Sequence, residues 1–234
     1  LVRTYKTSFP ISRINAIRVK STLPARLLGR SCIEAEVVGL ISEGEKGSNP
    51  VLCLLKDDAV QQQVLRELVP EFVYERRPNK QPLGAKRVLQ TKVVVASLAV
   101  LIATAMIGGA LTVIAVLVVV AMVYAMQVSY RITEFDAGGE LFSFVNGAVD
   151  RETVIMNYDK VQMVWITQGP IARIFGVSRG SVYMLSSTGS SSITSGYFPE
   201  SLLNIINEIV MDRIAYTTNT TSIGARRPKK IDLD

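Results

Sequence analysis

The sequence predicts an α+β protein in which two small domains flank a pair of membrane-spanning helices. Three observations lead to this fold class. Residues 93–126 contain no charged side chain, short alternating strands followed by an amphipathic helix occur on both sides of that run, and the two sides share a repeated pattern. The first observation is typical of membrane helices, and the other two are typical of duplicated α+β domains.

The uncharged run is too long for one membrane-spanning helix. A helix over residues 93–126 would be about 50 Å long at about 1.5 Å per residue, whereas the hydrocarbon core of a bilayer is about 30 Å thick. We therefore expect a two-helix hairpin over residues 91–129 that turns at Gly108 and Gly109, because glycine tolerates the turn. The alternative is one helix buried in a large soluble core, but so long an uncharged run is rare in soluble domains.

Composition argues against most enzyme chemistry. The chain of 234 residues contains no histidine, which removes the usual general base and the most common metal ligand. Its cysteines, Cys32 and Cys53, do not suggest a disulfide framework and favour a reducing compartment. The net charge of +6 beside an apolar run favours membrane topology and anionic lipid over nucleic acid. We expect a protein that is not an enzyme and that has no cofactor and no metal site.

The first flank, residues 1–70, is predicted to contain strands followed by one helix. Alternating β-branched residues predict strands at residues 9–20, 31–39 and 51–55. Pro24 can start a short helical turn between the first two strands, and Gly29 can end it. This order of elements is an α+β signature.

The helix of the first flank is predicted to run from a capping residue, Asp57, to Leu68. Its apolar stripe consists of Val60, Val64, Leu65 and Leu68. Pro70 ends the helix, and residues 71–90 then form a basic, proline-containing linker that leads to the membrane hairpin.

The second flank, residues 130–213, is predicted to begin with a β-hairpin. Residues 141–144 and 153–156 predict strands, and Asn146-Gly147 between them is a strong turn signal. The flank therefore starts with strands that have no counterpart in the first flank. We expect the first flank to lack two or three strands of the complete unit.

The chain is predicted to close with a helix and a polar tail. The helix starts at Pro199, and its apolar face consists of Leu202, Ile205, Ile206 and Ile209. Residues 214–234 are polar and basic, and we expect them to be disordered.

The two flanks repeat each other. A shift of 147 residues, the distance from Gly29 to Gly176 (176 minus 29), aligns them without a gap. The shift places Arg13 on Lys160, Ile14 on Val161, Asn15 on Gln162, Ala25 on Ala172 and Arg26 on Arg173. Repetition on this scale predicts two copies of one domain. Equivalent domains are expected on the same side of the membrane, and the basic residues before the first helix place that side in the cytoplasm.

Residues 158–177, YDKVQMVWITQGPIARIFGV, carry a family resemblance. They are similar to the bacterial PH-like domain, bPH2, of YdbS/YdbT-type membrane proteins, in which an apolar residue and Gln on a strand precede a turn with Pro, Arg and Gly. Val161-Gln162 and residues 170–176 match this pattern, and the first flank repeats it with Asn15 in place of Gln. The resemblance implies a PH-like fold, two bent antiparallel sheets closed by a C-terminal helix, in the bacterial cytoplasmic membrane.

Several side chains are candidate contacts to a partner or to lipid. They are Arg26, Trp165, Arg173 and Arg179, together with Arg226, Arg227, Lys229 and Lys230 in the tail. An arginine can contact an anionic headgroup, but it can equally pack its stem on a sheet. Trp165 could form a partner surface, anchor at the membrane interface or pack in the core. The repeated residues Asn15, Gly29, Gln162 and Gly176 are expected to be structural.

These observations predict a membrane-anchored scaffold whose cytoplasmic domains bind a protein partner. Another membrane protein is the expected partner, and a member of the same family is one form that it could take. Nucleic acid is not expected. The resemblance implies a role in envelope stress or in resistance to membrane-active compounds. The alternative is a sensor of anionic lipid that uses the PH-like domains and the basic tail. The apolar run carries no charge, which argues against a transporter.

Overall fold

The computed structural model of the chain describes residues 10–38, 50–107, 111–186 and 189–222. The strands are β1 (Ile14–Ser21), β2 (Arg30–Val37), β3 (Val51–Asp57), β4 (Asn79–Lys80), β5 (Glu134–Ala137), β6 (Leu141–Asn146), β7 (Arg151–Asn157), β8 (Val161–Thr167), β9 (Ser178–Ser186) and β10 (Gly189–Phe198). The helices are α1 (Leu23–Leu27), α2 (Asp58–Leu68), α3 (Leu83–Ile107), α4 (Leu111–Ile132), α5 (Pro170–Ile174) and α6 (Glu200–Ser222).

The strands form two antiparallel sheets. One sheet has seven strands in the order β3-β2-β1-β7-β6-β5-β4, and the other has three in the order β10-β9-β8. The mixed α+β class is therefore confirmed, and the arrangement of β4–β10 with α6 is consistent with a PH-like domain. The Asn146-Gly147 hairpin is also confirmed, since β6 pairs with β7 up to Asn146↔Glu152 and Gly147 has a φ of 125°.

The large sheet joins the two flanks. Strand β1 pairs with β7 from Ala16↔Met156 to Ser21↔Arg151. The sequence predicted two units, residues 1–70 and 130–213, and did not anticipate that their strands would be neighbours in one sheet. The division into two domains stays a prediction. The pairing means that residues before α3 and residues after α4 belong to one hydrogen-bonded body.

The equivalent segments of the two flanks have the same local geometry. Strand β1 pairs with β2 through Ile17↔Ala35, and β8 pairs with β9 through Val164↔Val182, so both partners are displaced by the same 147 residues (164 minus 17, and 182 minus 35). An irregularity follows the first residue of β1 and of β8 alike. The turns after α1 and α5 end on Gly29 and Gly176, each with φ +64°, a left-handed conformation that glycine adopts without strain.

The second flank encloses the larger core. Three residues of α6, namely Leu203, Ile206 and Val210, are buried against the aromatic side chains of the sheets. The predicted face was partly wrong: Ile206 is buried, but Leu202 and Ile209 are only partly buried. The spacing of the buried residues is that of one helical stripe, and this stripe is rotated by one residue from the predicted one.

The first flank has a smaller core in which α2 is only loosely covered. Val64 and Leu65 pack against it, but Val60 is 42% exposed and Leu68 is 49% exposed, so the predicted apolar stripe is wrong at both ends. Gln61 is buried instead. Its side chain exchanges hydrogen bonds with Ser31 and donates to a main-chain carbonyl, which satisfies the buried amide.

Asp57 occupies the N-cap position of α2, but its side chain makes no capping hydrogen bond. Its carboxylate lies 3.8 Å from the guanidinium of Arg30, and both side chains are exposed. The prediction of the helix start is therefore confirmed, whereas the predicted reason for it is wrong.

Two helices are long and apolar enough to cross a membrane. They pack against each other, and the qualifying segments are Leu83–Ala105 and Thr112–Ile132. Only 6% of the most apolar window of each helix is buried, which is not the pattern of a core helix in a soluble protein. The turn predicted at Gly108 and Gly109 lies outside the described residues.

Two predicted irregular segments contain regular structure. The basic linker, residues 71–90, includes β4 and the first turns of α3, which begins at Leu83. The tail was predicted to be disordered from residue 214, but α6 continues to Ser222. The tail cations Arg226, Arg227, Lys229 and Lys230 lie outside the described residues.

Candidate functional site

One candidate surface is the outer side of β8, which we call the β8 edge and define as residues 162–167. Strand β8 pairs with β9 on one side, and no described strand pairs with its other side. Val164 and Ile166 point inward and pack against the large core. Met163 and Trp165 point outward and are 44% and 55% exposed. An unpaired edge with outward apolar side chains is a template for binding another strand.

Strand β1 shows what the same edge looks like when it is covered. Strand β7 pairs with the side of β1 that is free in β8. Ala16, the equivalent of Met163, is completely buried in the core of the second flank. Asn15, the equivalent of the exposed Gln162, is buried and donates through Nδ2 to the carbonyl of Leu185 at 2.8 Å. The two strands therefore share their register but differ in their burial.

The second candidate surface is a cleft of about 270 Å³ where the long helices meet the second flank. We call it the membrane-proximal cleft. Its lining is mostly polar and consists of Gln81, Leu89, Ser129, Thr133, Asn146, Gly147, Arg179, Thr194, Ser195, Gly196 and Tyr197. Nε of Arg179 and Oε1 of Gln81 are buried and have no hydrogen-bond partner among the described residues. Buried polar atoms are normally hydrogen-bonded, so these two mark an unsatisfied polar spot in the wall of the cleft.

Two cationic side chains contact Tyr197 beside this cleft. The guanidinium of Arg179 lies 4.8 Å from the ring centroid, and the ammonium of Lys92 lies 5.0 Å from it. Lys92 also donates a hydrogen bond to the Tyr197 hydroxyl. The Arg179 distance is typical of a cation–π contact, whereas Lys92 is held by its hydrogen bond to the ring hydroxyl. Since Lys92 directly precedes the uncharged run, this cluster lies at the boundary between the apolar helices and the sheets.

The second flank is fixed onto α3 by small side chains. Ala85 and Val88 of α3 are buried against Ala172 and Val177, which belong to α5 or follow it. A Cβ on Gly84 would lie 2.5 Å from the carbonyl oxygen of Phe175, so glycine permits the close approach. This contact explains why the repeated turn with Pro170 is held at the base of the apolar helices.

The structure does not gather the predicted contact residues into one site. Arg26 lies on α1 and Arg173 on α5, and both are exposed. Trp165 lies on the β8 edge, and of these residues Arg179 alone lines the membrane-proximal cleft. The cleft residues Gln81 and Tyr197, and the contact of Lys92 with Tyr197, were not predicted, because these residues are distant in sequence and no pattern connects them.

A charged network also escaped prediction. Arg18 donates to Glu36 of β2, to Glu152 of β7 and to Ser191 of β10, each at 2.9 Å. Burial alone would lower the pKa of the Arg18 guanidinium, but the two carboxylates outweigh it and raise the pKa above its ordinary value. One side chain thus ties both flanks together at the junction of β1 and β7.

Metal binding has no support among the described residues, where no three His, Cys, Asp or Glu side chains come together in a group that could hold a metal ion. The chemistry available at the two surfaces is binding: strand pairing and apolar contact at the β8 edge, and cationic and amide contacts in the membrane-proximal cleft.

Comparison with known families identifies the second half of the chain. The family model described as Bacterial PH domain matches residues 89–207. This segment begins inside α3 and ends inside α6, so it includes most of α3, all of α4 and β5–β10. No curated protein and no solved structure matches the chain. The narrower YdbS/YdbT type stays a prediction. Since the match covers just over half of the 234 residues, the chain belongs to the bacterial PH domain family.

Proposed function

We propose that the chain is a membrane-anchored binding protein without enzymatic activity, which presents its PH-type sheets to a protein partner in the bacterial cytoplasm. The observation that carries the membrane part is the pairing of β1 with β7. One strand precedes α3 and the other follows α4, so both must lie on the same side of any membrane that the helices cross. Two crossings meet this requirement and one does not.

The basic residues at the start of α3 support the cytoplasmic orientation. Lys86, Arg87 and Lys92 precede the uncharged run, and an excess of such residues marks the cytoplasmic side. The helices α3 and α4 pack against each other, as a hairpin requires. In this proposal the sheets stand on the cytoplasmic surface, with the membrane-proximal cleft next to the lipid headgroups.

The β8 edge supports the binding part of the proposal. Met163 and Trp165 are exposed on a strand edge that no described strand covers, and tryptophan is enriched among the residues that anchor protein interfaces. A role in envelope stress or in resistance to membrane-active compounds belongs to the same proposal and is supported by the family resemblance.

Affinity capture of the full chain from native membranes in mild detergent tests this function. Mass spectrometry should find a protein companion with the wild type and with Met211→Asp, which changes a 60% exposed residue on α6. Trp165→Asp should lose that companion. Capture of lipid alone, or of nothing, with the wild type would contradict the proposal. A companion that both variants retain would place the binding surface elsewhere.

The membrane-proximal cleft favours a second function, recognition of an anionic lipid headgroup. Arg179 lines the cleft, and Lys92, which directly precedes the uncharged run, contacts the same Tyr197 side chain. A phosphate would accept charge-assisted hydrogen bonds from these donors. Arg179→Gln should lower the amount of anionic phospholipid that co-purifies, while Arg173→Gln, at an exposed position outside the cleft, should not. Equal lipid in the wild type and in both variants would contradict this function.

A further inference from the structure

We propose that the β8 edge binds the third strand of another bacterial PH-type domain, in the register that β7 uses on β1. The inference rests on the proposed function, because it takes binding of a protein partner as given, and it names the surface and the class of partner. The occupant is a PH-type domain whose strand equivalent to β7 has a free edge.

The chain itself provides the template. Strands β1 and β8 are equivalent by sequence shift, by register with their neighbours β2 and β9, and by the irregularity after their first residue. In β1 the opposite edge is occupied by β7, the last strand of the three-stranded run β5-β6-β7 of a PH-type domain. Equivalent edges with equivalent geometry are expected to accept the same kind of strand.

Side-chain burial points to the same partner independently of the backbone. Strand β1 lies between two cores: Ile17 packs in the core of the first flank, and Ala16 packs in the core of the second. Strand β8 has one core only. Val164, the equivalent of Ile17, packs inward, whereas Met163, the equivalent of Ala16, is 44% exposed. A domain that covers Met163 and Trp165 with a core of its own would reproduce the surroundings of Ala16, and its third strand alone should already pair with β8 in the same register.

Strand β1 also makes polar contacts with the second flank, and no equivalent contacts of β8 occur among the described residues. Asn15 reaches the carbonyl of Leu185 and Arg18 reaches Ser191, both near the hairpin that joins β9 and β10. Gln162 is an amide at the position equivalent to Asn15 and is exposed. The same hairpin of an incoming domain would supply an acceptor for Gln162. On this inference, Asn15 and Gln162 are both amides because each contacts the hairpin of a neighbouring unit.

A second copy of this chain does not fit as the occupant. Its own β7 is already paired on both sides, with β6 and with β1. Releasing that strand would break the pairing from Ala16 to Ser21 and expose the Arg18 network. The fitting partner is a domain of this family in which nothing equivalent to β1 covers the third strand.

Disulfide trapping on the full chain tests the register. In a background of Cys32→Ser and Cys53→Ala, the Trp165→Cys chain would be incubated in thiol-exchange buffer with a synthetic peptide of residues 149–158. On β1, Arg18 is opposite Val154, so the new thiol at position 165 should pair with a peptide carrying Val154→Cys. A peptide with Thr153→Cys should react about tenfold less, because neighbouring residues of a strand point to opposite faces. Unlabelled wild-type peptide should compete, and an Ile155→Pro peptide should not.

A second pair of cysteine substitutions controls for a local effect of Trp165→Cys on the structure. Met163→Cys should trap Met156→Cys, since Ala16 is opposite Met156 on β1. Trapping without preference for these pairs would overturn the inference. So would a covalent homodimer of Trp165→Cys without peptide, which would make a second copy the occupant, or protection of the introduced thiol from a water-soluble maleimide by the membrane. If trapping fails while wild-type capture still returns a protein companion, the inference is wrong and the proposed function stands.

Discussion

Arg18 is a side chain that links the two flanks directly at the junction of β1 and β7. It is 16% exposed and pairs with Glu36, whose carboxylate is 1% exposed, and with Glu152 on the other flank. Removing one member of a buried ion pair costs more than removing an exposed one, because the remaining charge loses its partner without gaining water. The network therefore constrains where β1 can lie.

Arg18→Met should lower the free energy of unfolding by about 3 kcal/mol, since it leaves Glu36 buried and unpaired. Lys20→Met is the matched control on the same strand, because Lys20 pairs with Glu34 but is 42% exposed. It should cost less than about 1 kcal/mol. Urea unfolding of the detergent-solubilised chain, followed by far-ultraviolet circular dichroism, measures both. Equal losses of unfolding free energy in the two variants would mean that Arg18 does not stabilise the junction of β1 and β7.

Partly buried Tyr74 and buried Tyr158 offer a comparison of a satisfied and an unsatisfied hydroxyl. Tyr74 donates to Ser143 at 2.9 Å, whereas the buried Tyr158 hydroxyl finds no partner among the described residues. Tyr74→Phe should lower the free energy of unfolding by about 1 kcal/mol, and Tyr158→Phe should leave it unchanged or raise it by about 1 kcal/mol. Urea unfolding measured in the same way gives both changes in free energy. A larger loss at Tyr158 than at Tyr74 would contradict this assignment.

Tyr74 also makes stability depend on alkaline pH. Burial, with the charge of Asp136 adding to it, raises the pKa of Tyr74 to about 12, above the ordinary value near 10 for an unfolded chain. The folded state then holds a proton that the unfolded state releases. The stabilisation is complete below pH ~10 and is lost as the pH rises to about 12. Tyr74→Phe should make the fall in unfolding free energy over this interval shallower. An unchanged slope would show that Tyr74 does not contribute.

At the scale of elements, the repeated turns were predicted well because their signals are local. Pro24 and Pro170 lie in the first turn of α1 and α5, and the chain leaves each helix through a glycine. The Asn146-Gly147 hairpin has the same local character. The faces of α2 and α6 were predicted less well, because burial depends on neighbours that the periodicity of one helix does not reveal.

The glycines that end these turns should resist substitution. Gly29→Ala and Gly176→Ala should each lower the free energy of unfolding by about 1 to 2 kcal/mol, because a Cβ is unfavourable at φ +64°. Gly169→Ala is the control, since Gly169 has φ −71° and open space around its Cα. It should change stability little. A cost at Gly169 as large as that at Gly176 would show that backbone conformation is not the cause.

At the scale of the whole molecule, the sequence predicted the parts but not their assembly. The repeat at a constant shift and the two apolar helices were visible in the residues. The pairing of β1 with β7 was not, because β-branched alternation identifies a strand without naming its neighbour. The membrane-proximal cleft escaped for a related reason: Lys92 and Tyr197 are 105 residues apart and become neighbours only when α3 stands against β10.

The shared sheet also changes how the repeat is understood. Two equivalent units could have been separate domains joined by the hairpin, each with its own surface. Instead the second unit covers the edge and outer face of the first, and the β8 edge of the second remains uncovered by any described strand. An arrangement in which each unit presents the edge that the next one covers can continue by addition of a further unit.

Thiol labelling of membrane-inserted chains with a membrane-impermeant maleimide decides whether both flanks lie on one side of the membrane. In the background of Cys32→Ser and Cys53→Ala, three single-cysteine chains would be compared. Glu75→Cys changes an exposed residue between the first flank and α3, Asp150→Cys changes an exposed residue of the second flank, and Gly109→Cys changes a residue between the long helices. We expect Glu75→Cys and Asp150→Cys to react in inverted vesicles but not in intact cells, and Gly109→Cys to show the reverse. Reaction of Glu75→Cys and Asp150→Cys from opposite sides of the membrane would contradict a sheet built from both flanks.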